Sequence, residues 1–252
     1  ASCCLGASLA GSPSATYIPY QGALMPFQVI QNVAGKLRHM TGGRASMPVT
    51  WIIELTGQTP GFAGQHSCSE EDSYSAPLPG VRTVVPSTPF DAKGMMHASL
   101  RSPDPVVFLY PAGLRTLVED VPDEPYEVSL EEAAVRMEGS DLTIVSSGAG
   151  MPEVLKAAET LRDEGMGVEV VDLRVLKEMD TDTLVNSVAK TKRLLTVDQS
   201  YFTLCPGAEV IARVATNVDG AKYKRVAFPD APPPASPEMF LWMRPDADKI
   251  AG

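Results

Sequence analysis

The sequence predicts an α/β protein made of two doubly wound domains. Three observations carry that expectation. Short apolar runs fit for buried strands alternate with helical patterns along most of the chain, the order that yields parallel sheets. Glycines follow several helical runs, as at Gly42–Gly43 and Gly165, where a left-handed residue ends a helix at little cost. The alternation breaks once, between Gly113 and Gly139, in an acidic stretch that carries prolines. It separates a domain over residues 1–113 from one over 140–252, with a surface linker at 114–139 that has room for a β ribbon.

The elements follow in chain order. ASCCLGASLAG reads as the middle of a small-residue helix, and with no initiator Met it leads us to expect further residues upstream. A helix spans Phe27 to Met40, and a strand follows at Pro48 to Glu54. VRTVVPS, Val81 to Ser87, is a second short strand, PFDAKGMMHASLRS a helix, and Pro105 to Tyr110 the strand after it. Beyond the linker, Leu142 to Gly148 is a strand, MPEVLKAAETLRDEG an amphipathic helix, and the run from Gly167 the next strand. MDTDTLVNSVAKTKR is a helix with Asp180 or Thr181 as its N-cap and a basic last turn, LLTVDQS a strand, and GAEVIARVATNV a further helix. The proline-dense APPPASPEMF reads as an extended wrap, neither regular helix nor central strand.

Composition narrows the function. The 252 residues, 44% of them hydrophobic, suffice for real cores. A formal net charge of −10 argues against nucleic acid, whose phosphates need clustered Lys and Arg. No apolar run reaches the roughly 20 residues of a membrane span, and no basic segment marks a secretory signal. Cys3, Cys4, Cys68 and Cys205 lack zinc-site spacing and read as reduced thiols. A soluble, cytoplasmic protein is expected, with a mitochondrial or plastid location left open by the start of the chain.

The common catalytic signatures are absent: no G-x-S-x-G, H-E-x-x-H or P-loop occurs. Gly148 and Gly150 lie between a strand and a helix, but Glu153 takes the last glycine position of a dinucleotide motif, so a plain tight turn outweighs a phosphate site and Asp172 does not rescue one. His39 and His97 sit in helical runs, where a solvated or satisfied imidazole is ordinary. His66 stands in the glycine-rich, polar GFAGQHSCSEED, a loop of the kind that binds ligands at the carboxyl edge of a parallel sheet. Pattern alone leaves a functional His66 and an incidental one evenly matched. Glu54, Glu70, Glu71 and Asp72 read as solvated loop residues.

Six segments in this order, GASLAG, VIQNVAGKLRHMTGG, FAGQHS, LPGVRTVVPSTPFDAKGMMHASLRSPDPVVFL, VVDLRVLKEMDTDTLVNSVAKTKRLLTVDQS and PGAEVIARV, resemble the β subunits of thiamine diphosphate-dependent 2-oxo acid dehydrogenase E1 components. The resemblance covers nearly the whole chain. It implies a transketolase-like pyrimidine-binding domain followed by a transketolase C-terminal domain, working with an α subunit in an α2β2 assembly. The reaction implied is oxidative decarboxylation of a 2-oxo acid such as pyruvate, with acyl transfer to a lipoyl group of an E2 component. The family's α subunit holds the diphosphate and Mg²⁺ through a G-D-G motif that this chain lacks, so the chain matches the half that grips the aminopyrimidine.

The resemblance also implies roles for residues. His66 matches the histidine that faces the substrate, where a donor stabilises oxygen charge. Tyr20 is the nearest match to the aromatic stacked on the aminopyrimidine, with Tyr17 and Phe27 as alternatives. Main-chain oxygens of Ser99, Leu100, Ser102 and Asp104 match a potassium site, although Ser102 and Pro103 depart from its usual polar and acidic pattern. The glutamate that promotes cofactor activation falls upstream of Ala1, so it either precedes the given residues or is missing from a degenerate, non-catalytic β-like subunit. A split transketolase-like ketol or acyl transferase without a lipoyl acceptor is the other alternative.

Overall fold

The computed structural model describes residues 1–19, 25–55 and 78–252 of the chain. Helix α1 (Ser2–Leu9) leads into strand β1 (Ser14–Pro19), and the Ser14 hydroxyl ties the two by donating to the Cys4 carbonyl at 2.7 Å. A π-helical stretch, Val29–Ala34, continues as α2 (Gly35–Met40). That helix stops through Gly42 and Gly43 at φ +61° and +83°, as the glycine pair predicts. Next come β2 (Val49–Leu55), β3 (Arg82–Val84), α3 (Pro89–Arg101) and β4 (Val106–Pro111), closed by a 3₁₀ turn at Ala112–Thr116. The Thr88 hydroxyl caps α3 by accepting from the Asp91 amide at 3.1 Å, and Pro89 fills the first turn, where its missing N–H is no loss.

The second domain holds β5 (Ala134–Met137), β6 (Leu142–Ser146), α4 (Met151–Asp163), β7 (Val168–Asp172), α5 (Thr181–Thr191), β8 (Arg193–Tyr201), α6 (Pro206–Ala215), β9 (Lys222–Phe228), α7 (Pro237–Met243) and α8 (Ala247–Ala251). Among the described residues the strands form two sheets. The first has the order β1-β2-β4-β3, all parallel; the second has the order β5-β7-β6-β8-β9, parallel except for β5, which runs against β7. β5 falls inside the stretch read as linker, so the end of that stretch is the edge of the second sheet.

The C-terminal reading needs correction. APPPASPEMF is not extended throughout, because its last residues open α7: Ser236 caps the helix and Pro237 takes the first position, the one turn where proline suits a helix. Phe240 from this helix is buried and packs on Phe228, ring centroids 5.7 Å apart. The sequence reading also overlooked two strands, β1 and β9.

The domains are joined through the edge of the first sheet. The segment after β7 runs antiparallel beside β3: the Val85 amide donates to the Arg174 carbonyl at 2.7 Å, the Leu176 amide to the Thr83 carbonyl at 2.9 Å, and Val84 bridges Val175. An edge strand otherwise open to pairing is thereby covered. Apolar packing is continuous across the junction, with Val85, Val107 and Leu109 in one buried cluster with Val145, Val171 and Leu176. The linker is packed as well: Val128 and Leu130 join Val84, Met95 and Phe108 in a second cluster, and Tyr126 stacks on Phe90 at 4.6 Å. No helix among the described residues is long and apolar enough to cross a membrane.

Candidate active site

In open parallel sheets ligands bind in the crevice outside the carboxyl ends of the strands. Two strands of the first sheet end at that edge ahead of the residues of interest. β1 ends at Pro19, one residue before Tyr20, and β2 ends at Leu55, from which the chain continues towards His66. Tyr20 and His66 themselves lie outside the described residues, as do Cys68, Glu70, Glu71 and Asp72.

What the structure describes at this edge is a charged and aromatic group. Glu54, the penultimate residue of β2, is paired across the sheet with Pro19 of β1 and Tyr110 of β4. It is buried on a strand, which corrects its reading as a solvated loop residue. Its carboxylate forms an ion pair with the Arg115 guanidinium, which the 3₁₀ turn after β4 brings back over the sheet. Nη2 of Arg115 also lies 3.5 Å from the Tyr17 hydroxyl, and the guanidinium stands 5.8 Å from the Tyr110 ring centroid. Of the two alternatives to Tyr20, Tyr17 is half exposed beside this group, whereas Phe27 is partly buried against the core. Arg115 carries no sequence motif; recognising it requires knowing that β4 ends beside β2.

Ser99, Leu100, Ser102 and Asp104 sit together at the turn from α3 to β4. The Ser99 carbonyl accepts from the Thr50 hydroxyl at 3.1 Å and from the Ser102 amide at 3.2 Å, so both its lone pairs are engaged. The Ser102 hydroxyl donates to the Asp104 carbonyl at 2.8 Å, and the Asp104 carboxylate pairs with Arg38 at 2.5 Å. The Leu100 side chain is exposed. Gly148–Gly150 forms a 3₁₀ turn, in keeping with the tight-turn reading, with Gly148 at φ +54° close to Val85 and Pro111 of the first domain. His39 is exposed on α2 and His97 half-buried on α3; Cys3, Cys4 and Cys205 are free thiols.

The family model for the transketolase pyrimidine-binding domain matches residues 1–116, and that for the transketolase C-terminal domain matches residues 131–250. The β subunit of the pyruvate dehydrogenase E1 component from Bacillus subtilis is 35% identical over 250 residues, 95% of this chain and 74% of that protein. Its counterpart from Staphylococcus epidermidis is 36% identical over 257 residues, 98% and 77% of the two chains. The chain belongs to the transketolase-like E1 β-subunit family. Another relative in the family is the β subunit of acetoin:2,6-dichlorophenolindophenol oxidoreductase from Cupriavidus necator, 36% identical over 238 residues, 93% of this chain and 69% of that one. The family fold is also that of a solved split-gene transketolase, described as an inactive beta4 tetramer, which superposes with a TM-score of 0.83 at 21% identity, over 99% of this chain and 78% of that one. A transketolase mutant from Pichia stipitis gives 0.69 at 12% identity, over 96% and 33%.

Proposed function

We propose that this chain is the β subunit of a thiamine diphosphate-dependent 2-oxo acid dehydrogenase, acting with an α subunit to decarboxylate a 2-oxo acid oxidatively and pass the acyl group to a lipoyl arm. One observation carries the reading: identity of 35% and 36% to pyruvate dehydrogenase E1 β subunits across 95% and 98% of the chain. The bacterial sources of those relatives support a cytoplasmic complex.

The residues present suit one end of the cofactor. Among the described residues no three His, Cys, Asp or Glu side chains converge to hold a metal ion, and the whole sequence lacks G-D-G. We therefore assign the diphosphate and Mg²⁺ to the α partner. The carboxyl edge of the first sheet offers, beside the Glu54–Arg115 pair, the half-exposed Tyr17, whose ring and hydroxyl suit the flat, polar aminopyrimidine. When bound, the cofactor supplies the electron sink for loss of the carboxylate. Tyr20 would hold its ring by stacking, and His66 would donate to the substrate oxygen where charge grows. A potassium ion at Ser99, Leu100, Ser102 and Asp104 would use main-chain oxygens, and it would have to displace the Thr50 hydroxyl or the Ser102 amide from the Ser99 carbonyl.

Calorimetry with thiamine diphosphate and Mg²⁺, on the chain alone and mixed with its α subunit, tests the reading. Binding in the mixture alone is expected. A confirmed complex that binds no cofactor would instead mark a degenerate subunit, and turnover that needs no lipoyl acceptor would favour a transketolase-like transferase.

A further inference from the structure

We infer that Arg115 is a specificity-determining residue, a cation that captures the carboxylate of an incoming 2-oxo acid at the carboxyl edge of the first sheet; this rests on the function proposed above. The placement comes from topology. Arg115 stands by the carboxyl ends of β1, β2 and β4, and in the chain Tyr20 and His66 come after the first two of these strands.

The pair with Glu54 is asymmetric. The Glu54 side chain is 9% exposed and that of Arg115 is 55% exposed. Sinking a carboxylate beside a central strand is unfavourable by several kcal/mol unless its partner is well placed, and a surface pair returns about 0–1 kcal/mol. As stability alone the arrangement gains little. As orientation it has a clear result: Glu54 engages Nη2, while among the described residues no partner is bonded to Nε or Nη1. A half-exposed guanidinium held by one corner keeps donors that match the two oxygens of a carboxylate.

Charge explains why the site needs such a group. The chain carries a formal net charge of −10 and repels an anionic substrate at long range. A local cation at the mouth reverses that repulsion. A strong grip on the departing carboxylate would stabilise the ground state and slow decarboxylation, so the sharing of Arg115 with Glu54 suits capture better than chemistry. The role belongs to KM, with kcat almost untouched.

The test uses the complex reconstituted with the α subunit. Without cofactor, pyruvate and its neutral amide, pyruvamide, are titrated calorimetrically into the parent, Arg115→Gln and Arg115→Lys complexes; with cofactor, KM and kcat are measured for pyruvate. The parent should prefer the anion by about tenfold, the order of one charge-assisted hydrogen bond. Arg115→Gln should erase the preference and raise KM similarly with kcat within about twofold, and Arg115→Lys should restore part of it. An Arg115→Gln complex that keeps the preference, or one that loses kcat at constant KM, overturns the inference while leaving the proposed function standing. A parent complex that binds cofactor but turns over no 2-oxo acid sinks the proposed function, and this inference with it.

Discussion

The Asp91 carboxylate, fully buried on α3 of the first domain, accepts a hydrogen bond at 2.7 Å from Nη2 of Arg174, 83 residues away in the second. It is also ion-paired with Arg136 of β5, which reaches buried Asp172 at 2.8 Å; the Ser87 hydroxyl donates to the same Asp172 at 2.9 Å. Arg174 holds φ at +55°, an unfavourable conformation for a side-chain-bearing residue, while its carbonyl accepts from the Val85 amide just after β3. The two domains thus meet in a closed set of charges. Replacing Asp91 by Ala removes the carboxylate bonded to the Arg174 guanidinium and leaves Arg136 with Asp172 alone, in a place water reaches poorly. The expected loss is about 3–5 kcal/mol, read as a lowered urea midpoint. A midpoint unchanged from the parent would mean that solvent screens the network.

The same junction changes what a cut in the linker should do. From sequence, the acidic stretch is a surface linker between two domains. In the structure, Leu117 to Asp120 are exposed, with Val118 98% exposed, so a protease has access. Yet Tyr126, Val128 and Leu130 are packed on the first domain, and β5 belongs to the second sheet. Chain nicked between Leu117 and Asp120 should elute as one particle in size exclusion under native conditions. Two separate peaks would show that the shared core and the Asp91 network are too weak to hold the halves.

Local signals were legible: Gly42 and Gly43 stop α2, Asp180 caps α5, and the apolar runs of β2, β4, β6 and β7 are buried strands. β9 was missed because KYKRVAF is an edge strand whose first three residues are exposed, so its pattern resembles a polar loop. β1 was missed because Ser14–Pro19 is short, flanked by small residues, and ends in proline. In α7, a proline count obscured the single position where proline fits. Glu54 was misread because its partner, Arg115, lies 61 residues on. No local pattern encodes such a pair; the resemblance implied roles for Tyr20 and His66 and said nothing of Arg115.

Asp180 gives stability a pH dependence. Its side chain accepts from the Thr183 amide and hydroxyl at 3.1 and 2.7 Å and from the Ala133 amide at 3.1 Å, tying α5 to the start of β5. Burial alone would raise its pKa, but these donors outweigh burial and hold it below the ordinary value of 3.8. A depressed carboxylate contributes stability that is complete above the unfolded-state value and fades as pH falls through the folded one. Asp180→Ala should therefore cost about 1–2 kcal/mol at pH 7, and its gap from the parent should narrow below about pH 4. Thermal scans across that range check the sign. A gap that widens on acidification would mean that the carboxylate is not the stabilising form.

His66→Ala tests the chemistry assigned to the loop after β2. A donor aimed at developing oxygen charge acts more strongly on the transition state than on the bound cofactor. In the complex with the α subunit, kcat should fall by about 10²–10³ while the thiamine diphosphate Kd stays within a few-fold of the parent. The contrast with Arg115→Gln is diagnostic, because loss of a capture residue moves KM and loss of a charge-stabilising donor moves kcat. If both variants moved KM alone, the loop would serve substrate entry, and the donor for the chemical step would have to come from the α subunit.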